Sequence, residues 1–346
     1  MFIQAVAYRL FRPTDHWCHP PVADLLHIRH LVYDVVIVGG GPAGLSAALV
    51  LGRCRRTVLV CDAGEPRNRH AEAMHAFVTR EGMPPREFLG LAREGLSPYP
   101  DVEFRECIVE SVTPQGRTFT LRLADGTEER CRKLLLATGV RDEVPPLAGI
   151  DEFYGRTVHH CPYCDGWESR DEPIAVFGRR NRAFEMSRAM TAWSDDIVLC
   201  THGAPGLNAE QKRQLARNGV RIVEDKIERL TGRDGQLEAI VFRGGRRLPR
   251  RRLFFDLPSH PQSNLSRQLG CRIRRNGSVH CSGYEATDVP GVFIAGNIAG
   301  DVQLVIFAAA EGAKAAFGIN RSLTREEFEL NATGRRIIEH PTEEAG

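Results

Sequence analysis

The residues with the most reactive side chains stand together in the run from His159 to Gly166, HHCPYCDG. Two cysteines separated by two residues can form and reopen a small disulfide ring, because a thiolate attacks the sulfur of its partner. A neighbouring histidine can act as a base near neutral pH, and a carboxylate can carry the proton. The run therefore predicts a redox-active dithiol. Its predicted catalytic residues are Cys161, Cys164, Asp165 and His160.

Three other interpretations of this run stay open. The cysteines could be half of a zinc site completed by His159 or His160, but a structural zinc site needs four ligands and usually a second close cysteine pair, so we expect no metal. The dithiol could be buried and purely structural. The two histidines could simply end a strand, since histidines without a catalytic role are common.

Three glycines and an acid form the second motif, which comprises Gly39, Gly41, Gly44 and Asp62. The glycines follow a strand predicted over residues 35–38 and open a helix predicted over residues 43–54. In a dinucleotide-binding turn the first glycine makes the tight bend, the second admits a pyrophosphate, and the third lets helix and strand pack closely. The acid ends the next predicted strand and can accept hydrogen bonds from a ribose. The motif predicts a dinucleotide site.

Strands and helices alternate along the chain, which is typical of an α/β fold. A second strand-turn-helix unit begins near residue 173, and a last strand and helix return the chain to the first unit. We therefore expect two Rossmann-like doubly wound domains, the second inserted into the first. The further predicted elements are strands 57–61, 133–137, 174–177, 197–200 and 292–294 and helices 182–193 and 302–317. The predicted parts are an N-terminal extension (1–32), the first domain (33–145 and 264–322), the inserted domain (146–263) and a C-terminal tail (323–346).

The composition fits an ordinary globular protein of 346 residues and argues against several partners. With 46 basic and 44 acidic side chains, the net charge of +2 gives no field for a nucleic acid. The uncharged segment 35–52 contains Gly39-Gly40-Gly41-Pro42, which breaks a helix, so we expect no membrane partner. Ten cysteines with one close pair and no secretory signal predict a cytoplasmic protein whose other eight cysteines are free thiols.

Together these features resemble the low-molecular-weight thioredoxin reductase-like flavoproteins over about residues 33–322. Besides the two motifs above, the resemblance is carried by Ala137-Thr138-Gly139 and by Ala286-Thr287-Asp288-Val289-Pro290-Gly291 leading to Ala295-Gly296-Asn297. Its most specific element is the dithiol run between two nucleotide-binding-like units.

The resemblance implies FAD in the first domain and the redox dithiol in the inserted one. Cys164 would face the flavin, Cys161 would exchange with the substrate, and Asp165 would shuttle the proton. Asn297 stands where the family usually has an aspartate that binds the ribityl chain, and an amide can still accept and donate there. The FAD-binding residues that the resemblance implies are Gly39, Gly41, Gly44, Asp62, Thr138, Gly139, Gly296, Asn297 and Gln303.

Family members that use NADPH carry a second glycine fingerprint, followed by arginines for the 2′-phosphate. Here the fingerprint positions are Gly178, Arg180 and Ala183. A long side chain in place of the second glycine obstructs the pyrophosphate, and Thr201-His202-Gly203 supplies neither an acid nor an arginine. Arginines at 179, 180 and 182 could still hold a phosphate by their charge. We favour a vestigial nucleotide site, which puts NADPH in doubt as the donor.

Three functions follow as hypotheses. The first is an FAD-dependent thiol/disulfide oxidoreductase of the thioredoxin reductase type, which passes electrons from a donor through FAD to the dithiol and on to a disulfide. The second runs the same relay backwards, as a dithiol oxidase that uses oxygen. The third is a non-catalytic redox sensor or binding module. The expected partner is a small thiol or disulfide or a thioredoxin-like protein, and the family habit implies a homodimer.

Overall fold

The computed structural model describes residues 32–300 and 302–332. The predicted N-terminal extension, apart from its last residue, lies outside this part of the chain, as do Cys18 and residues 333–346. In chain order the strands are β1 (Tyr33–Val38), β2 (Val58–Asp62), β3 (Val102–Glu106), β4 (Val109–Gln115), β5 (Thr118–Leu123), β6 (Glu128–Leu136), β7 (Val140–Asp142), β8 (Val158–His159), β9 (Ile174–Phe177), β10 (Ile197–Cys200), β11 (Arg221–Val223), β12 (Ile227–Arg233), β13 (Gln236–Phe242), β14 (Arg247–Pro249), β15 (Arg252–Phe255), β16 (Ser259–Pro261) and β17 (Val292–Ile294). The helices are α1 (Pro42–Arg53), α2 (Pro85–Glu94), α3 (Ile150–Phe153), α4 (Pro162–Asp165), α5 (Arg180–Met190), α6 (Ala209–Arg217), α7 (Leu265–Gln268) and α8 (Val305–Ala332).

The first sheet has seven strands in the order β3-β2-β1-β6-β5-β4, with β17 beside the second half of β6. Strands β3, β2, β1, β6 and β17 run parallel, and β4 and β5 form an antiparallel hairpin at the edge. All six residues of β1 are buried. A strand buried on both faces reads as an uninterrupted apolar run, which is why the sequence predicted it.

A second sheet of five parallel strands has the order β11-β10-β9-β15-β8. An antiparallel meander, β12-β13-β14, lies between β11 and β15 in the chain. Strands β7 and β16 pair antiparallel, so the segments that lead into and out of the second sheet run side by side. Two parallel sheets, one interrupting the chain of the other, confirm the predicted α/β fold class. The exact domain boundaries stay predictions.

Three predicted strands, at residues 174–177, 197–200 and 292–294, have the observed bounds. The last helix differs from its prediction, because it begins at Val305 and continues to Ala332. Residues 323–332, which the prediction placed in a C-terminal tail, are therefore helical. The extension is held by charge, since Glu327 accepts hydrogen bonds from Arg56 and Arg132, each over 2.7 Å.

The glycine-rich segment 35–52 forms a strand, a turn and a helix as predicted. Among residues 32–300 and 302–332, no helix combines the length and the apolar character that a membrane crossing requires. Seven of the eight cysteines predicted to be free thiols are free, and the eighth, Cys18, lies outside the described residues.

Candidate active site

The dithiol lies where the chain passes from β8 into the short helix α4. Cys161 precedes the first residue of α4, and its sulfur accepts a hydrogen bond from the Cys164 amide over 3.1 Å. Pro162 suits the first helical position, where no amide hydrogen is needed. The two sulfurs form a disulfide, and the Cα atoms are 5.3 Å apart. Both cysteines are half-buried. The predicted pairing is therefore present in the structure.

The two histidines before the dithiol face different partners. His159 is buried in β8, and its Nδ1 lies 3.1 Å from Oδ1 of Asp165. His160 follows the last residue of β8 and has a different set of partners. The sequence named His160 as the base beside the dithiol, and the partner of Asp165 that it missed is His159. No signal in the type or spacing of the two histidines shows which of them contacts Asp165.

His160 belongs to a second polar cluster. Its Nδ1 lies 3.4 Å from the hydroxyl of Tyr154, and its Nε2 lies 3.7 Å from Asp142. Arg67 donates two hydrogen bonds to the Asp142 carboxylate and so neutralises it. Burial lowers the pKa of His160, and burial raises the pKa of Tyr154 to about 12. His160 is therefore an uncharged imidazole at neutral pH, in the protonation state that a base needs.

The first glycine turn is built as its residue types require. Gly39 has a φ of 113°, and a Cβ there would lie 2.3 Å from the carbonyl oxygen of Ala137. A Cβ on Gly44 would lie 1.8 Å from the carbonyl oxygen of Gly39, so helix α1 can pack this closely only with glycine. A Cβ on Gly41 would meet nothing within 4 Å. The space at Gly41 therefore opens away from the protein, as the approach of a pyrophosphate requires.

Asp62 is held in place at the end of β2. Its Oδ1 accepts a hydrogen bond from the Gly40 amide over 3.1 Å, and its Oδ2 accepts one from Arg93 over 2.7 Å. Arg93 in turn lies over the ring of Phe104. Arg93 is a further residue that the sequence did not single out, because nothing in its spacing connects α2 with β2. The carboxylate is fixed at the position where a ribose is bound in this fold.

One cavity of about 1480 Å³ joins the glycine turn to the dithiol. It exceeds the roughly 300 to 1,000 Å³ of pockets for drug-sized ligands. The predicted residues that line it are Gly39, Gly41, Asp62, Thr138, Gly139, His160, Cys161, Cys164, Asp165, Gly296, Asn297 and Gln303. Gly44 does not line the cavity, because it packs against the turn from behind.

The cavity fits the FAD that the resemblance implies. The Thr138 hydroxyl is buried and has no hydrogen-bond partner among the described residues, as expected of a group that faces a polar ligand. Gly296 has a φ of 79°, and its amide donates a hydrogen bond to Glu311 on α8 over 2.7 Å. This bond fixes the turn that follows β17 against α8. Residues from the two separate chain segments that build the first sheet thus form one cradle.

The second glycine fingerprint, at the start of α5, is occupied by arginine side chains of the protein itself. Arg179 donates from Nε to the carbonyl oxygen of Thr201 over 2.7 Å and also bonds the carbonyl oxygen of His202. This is the end of β10, where a nucleotide ribose would be bound. Arg182 pairs with Asp256 over 2.8 Å. Two of the three arginines that could have held a phosphate are therefore already bonded within the protein.

Comparison with known proteins places this architecture in a family. Residues 33–312 match the pyridine nucleotide-disulphide oxidoreductase family. Thioredoxin reductase tcpT from Claviceps purpurea is 32% identical over 277 residues, which cover 77% of this chain and 86% of that protein. Thioredoxin reductase aclD from Aspergillus oryzae is 27% identical over 86% of this chain and 98% of its own.

Solved structures give the same result. The crystal structure of HlmI superposes with a TM-score of 0.85 and 34% identity over 88% of this chain and 97% of HlmI. The oxidoreductase from Agrobacterium tumefaciens gives a TM-score of 0.80 and 32% identity over 86% of this chain and all of that one. The chain belongs to the pyridine nucleotide-disulphide oxidoreductase family. Within that family it is an enzyme of the low-molecular-weight, thioredoxin reductase-like type, an FAD-dependent disulfide oxidoreductase.

Proposed function

We propose that this protein relays an electron pair between FAD and the Cys161–Cys164 disulfide, and from there to or from a thiol or disulfide substrate. The observation that carries the proposal is that the dithiol and the glycine turn line one cavity. The residues around Gly41, Asp62 and Thr138 would hold the dinucleotide. Bound there, FAD would supply two-electron redox chemistry.

The two cysteines and Asp165 have different roles in the relay. Cys161 exchanges with the substrate and Cys164 closes the ring and faces the flavin, as the resemblance to thioredoxin reductase-like flavoproteins implies. Asp165 takes the proton of the thiol that becomes the attacking thiolate and returns it to the thiolate that leaves. The zinc alternative finds no support in geometry, since the two sulfurs are bonded to each other.

The structure of the second fingerprint favours a donor other than NADPH. The guanidinium of Arg179 occupies two main-chain carbonyl oxygens at the end of β10, and Arg180 stands where a glycine should admit the pyrophosphate. Losing such contacts costs about 1.5 to 3 kcal/mol for each charge-assisted hydrogen bond. This observation also favours a second candidate function, a dithiol oxidase in which substrate thiols supply the electrons and oxygen receives them.

The expected partner is a small thiol or disulfide or a thioredoxin-like protein. The names of tcpT and aclD support this expectation, since both are called thioredoxin reductases. A homodimer in the cytoplasm, without nucleic-acid or membrane partners, completes the proposal. Size-exclusion chromatography with light scattering tests the oligomeric state.

One anaerobic experiment tests the relay and its direction. The purified protein, loaded with FAD, is mixed in a stopped-flow instrument with NADPH, NADH or dithiothreitol, and flavin absorbance is followed. We expect rapid bleaching by the dithiol and slow bleaching by NADPH that does not saturate at micromolar concentrations. Rapid bleaching at micromolar NADPH would overturn the assignment of the donor. Absence of bleaching by every donor would overturn the relay itself and favour a redox sensor.

Oxygen uptake separates the two catalytic candidates. Addition of a dithiol in air should consume oxygen in an oxidase and leave it unchanged in a reductase. Reduction of a small disulfide, coupled to a donor that bleaches the flavin, should occur in a reductase only. The variant Cys161→Ser is the matched control in both assays, because it removes the exchanging thiol.

A further inference from the structure

We propose that His159 is a positioning residue, which holds the Asp165 carboxylate in the orientation from which it serves the dithiol. The inference rests on the proposed function, since it assigns a role within the same relay. His160, the histidine next to Cys161 in sequence, belongs to a different cluster. The geometry points instead to its neighbour.

The contact between His159 and Asp165 is direct and largely buried. Nδ1 of His159 lies 3.1 Å from Oδ1 of Asp165, and the two side chains are 7% and 22% exposed. Within residues 32–300 and 302–332, this histidine is the one ion-pair partner of the Asp165 carboxylate. A partner at this distance and depth interacts more strongly than the same pair would at the surface.

The side chain of His159 is itself fixed, so it can keep another group in place. It is the last residue of β8 and pairs in register with Phe254 of β15. The ring of Phe254 is fully buried, and the centroids of the two rings are 5.3 Å apart. A side chain fixed by a sheet and by a packed aromatic ring has few other rotamers available, so it loses little entropy when it binds a partner.

The contact between His159 and Asp165 also joins the two ends of the segment that carries the disulfide. Asp165 is the last residue of α4, and His159 ends the strand before it, so Cys161 and Cys164 lie between the two. Asp165 lines the same cavity as both cysteines. Movement of the carboxylate away from the sulfurs would have to break the contact with His159.

The two carboxylate oxygens of Asp165 then have different roles. Nδ1 of His159 contacts Oδ1, which leaves Oδ2 for the thiol. Asp165 then takes a proton from the thiol that becomes the attacking thiolate, and the same proton passes to the thiolate displaced from the disulfide. His159 neither gains nor loses a proton in this cycle. It sets the direction in which Asp165 presents its free oxygen.

His160 serves a different cluster. Its ring approaches Tyr154 at 3.4 Å and Asp142 at 3.7 Å, and Asp142 is bound by Arg67. Each histidine thus has its own carboxylate, and the two clusters use residues from different parts of the chain. Substitution at His159 should therefore affect Asp165 without disturbing the pairing of Arg67 and Asp142.

The test compares His159→Leu, His159→Asn, Asp165→Asn and the double variant His159→Leu/Asp165→Asn. Leucine keeps apolar volume and removes the donor, whereas the amide of asparagine places an N–H close to the position of Nδ1. The control is His280→Leu, at a histidine that does not line the cavity. Two rates are measured: anaerobic bleaching of the flavin by dithiothreitol, and alkylation of the reduced dithiol by iodoacetamide, followed by mass spectrometry.

We expect Asp165→Asn to slow both rates by about 100-fold, at the lower end of the range for general acid-base groups. His159→Leu should slow them by about 10-fold, because it removes only the contact that positions the carboxylate. The double variant should be no slower than Asp165→Asn alone, because the two residues act as one unit. His159→Asn should stay within about 3-fold of the wild type. Unchanged rates in His159→Leu, or effects that multiply in the double variant, would overturn the proposal.

Two checks keep this outcome separate from other failures. If His159→Leu does not fold, as judged by its thermal midpoint and FAD content, His159→Gln replaces it, because the glutamine amide lies one bond too far along the side chain. If wild-type flavin is not bleached by NADPH, NADH or any dithiol, the proposed function fails. The alkylation rates still decide the role of His159 in that case, since they depend on the thiols alone.

Discussion

The amide of Gly40 donates a hydrogen bond to Oδ1 of Asp62 over 3.1 Å, from the glycine turn to the end of the neighbouring strand. A Cβ on Gly40 would lie 2.8 Å from the Cβ of Asp62, so this bond can form only because residue 40 has no side chain. The turn that would receive the pyrophosphate and the acid that would receive the ribose are therefore one unit. A substitution that disrupts either one should therefore abolish binding of the whole dinucleotide.

Gly41→Leu should abolish retention of FAD. The space next to Gly41 is open, and a leucine side chain would occupy the path of the pyrophosphate without any clash inside the protein. The protein should therefore stay folded but become colourless, which absorbance at purification and a thermal melt check. Gly90→Leu, on an exposed and equally open part of α2, is the control and should remain yellow. A yellow Gly41→Leu protein would contradict the prediction.

Cys161→Ser should create a long-wavelength charge-transfer absorption band. The substitution removes one sulfur of the disulfide and leaves Cys164 as a lone thiolate beside the flavin. Cys164→Ser should lose the disulfide without giving this band. The two variants are compared by absorbance between pH 6 and 9. If both give the same spectrum, the roles of the two cysteines are wrongly divided.

Stability should fall in acid because of His160. Burial lowers the pKa of His160 below the ordinary value of 6.5, so the folded state disfavours its proton. The free energy of unfolding is then highest above pH 6.5 and declines as the pH falls through the lower folded-state pKa, because the unfolded chain binds the proton more readily. His160→Asn should flatten this part of the profile. Urea unfolding between pH 7.5 and 5 measures it, and an unchanged slope in the variant would count against the assignment.

Arg180→Gly should stabilise the protein. Arg180 has a φ of 59°, a left-handed conformation that costs a residue with a side chain about 1 kcal/mol or more. Glycine adopts it without this cost. Ala189→Gly, within the same helix at a negative φ, should destabilise by about 1 kcal/mol and is the control. Thermal melts compare the two variants, and a decrease in both midpoints would show that contacts of the Arg180 side chain matter more than its backbone.

Glu327→Gln should destabilise the fold by about 2 kcal/mol, because Glu327 accepts hydrogen bonds from two arginines that are mostly buried. Glu329→Gln, at an exposed position two residues later, should change stability by less than about 0.5 kcal/mol. Urea unfolding measures both. Equal effects of the two substitutions on the free energy of unfolding would mean that the hydrogen bonds of Glu327 add no specific stability.

Local sequence patterns predicted the parts of the site that depend on local geometry. The glycine turn and the Cys161–Cys164 pair follow from residue type and spacing, because a tight bend needs glycine and a small disulfide ring needs two intervening residues. The contacts that orient these groups join distant segments. Arg93 reaches Asp62, and Arg67 reaches Asp142, through tertiary packing that carries no spacing signal. Patterns of one segment cannot show such partners.

The end of α8 was missed for a similar reason. Residues 323–332 are polar and lack an apolar stripe strong enough to extend the predicted helix, and their helical structure depends on partners near residues 56 and 132. The interpretation of the second fingerprint as defective rests on residue type and stays a prediction. That Arg179 fills the vacant end of β10 with its own guanidinium depends on a rotamer, which sequence does not specify.

Helix α8 crosses α1 so closely that a Cβ on Gly312 would lie 2.0 Å from the carbonyl oxygen of Ala43. The consequence concerns the order of events during biosynthesis. A ribosome releases the first glycine turn long before it makes the helix that braces that turn, and the whole second sheet emerges in between. The second sheet can therefore fold while the first still waits for its last strand and helix. A chain cut short before residue 312 lacks the brace, so we expect the chain to capture the dinucleotide only after α8 has been made.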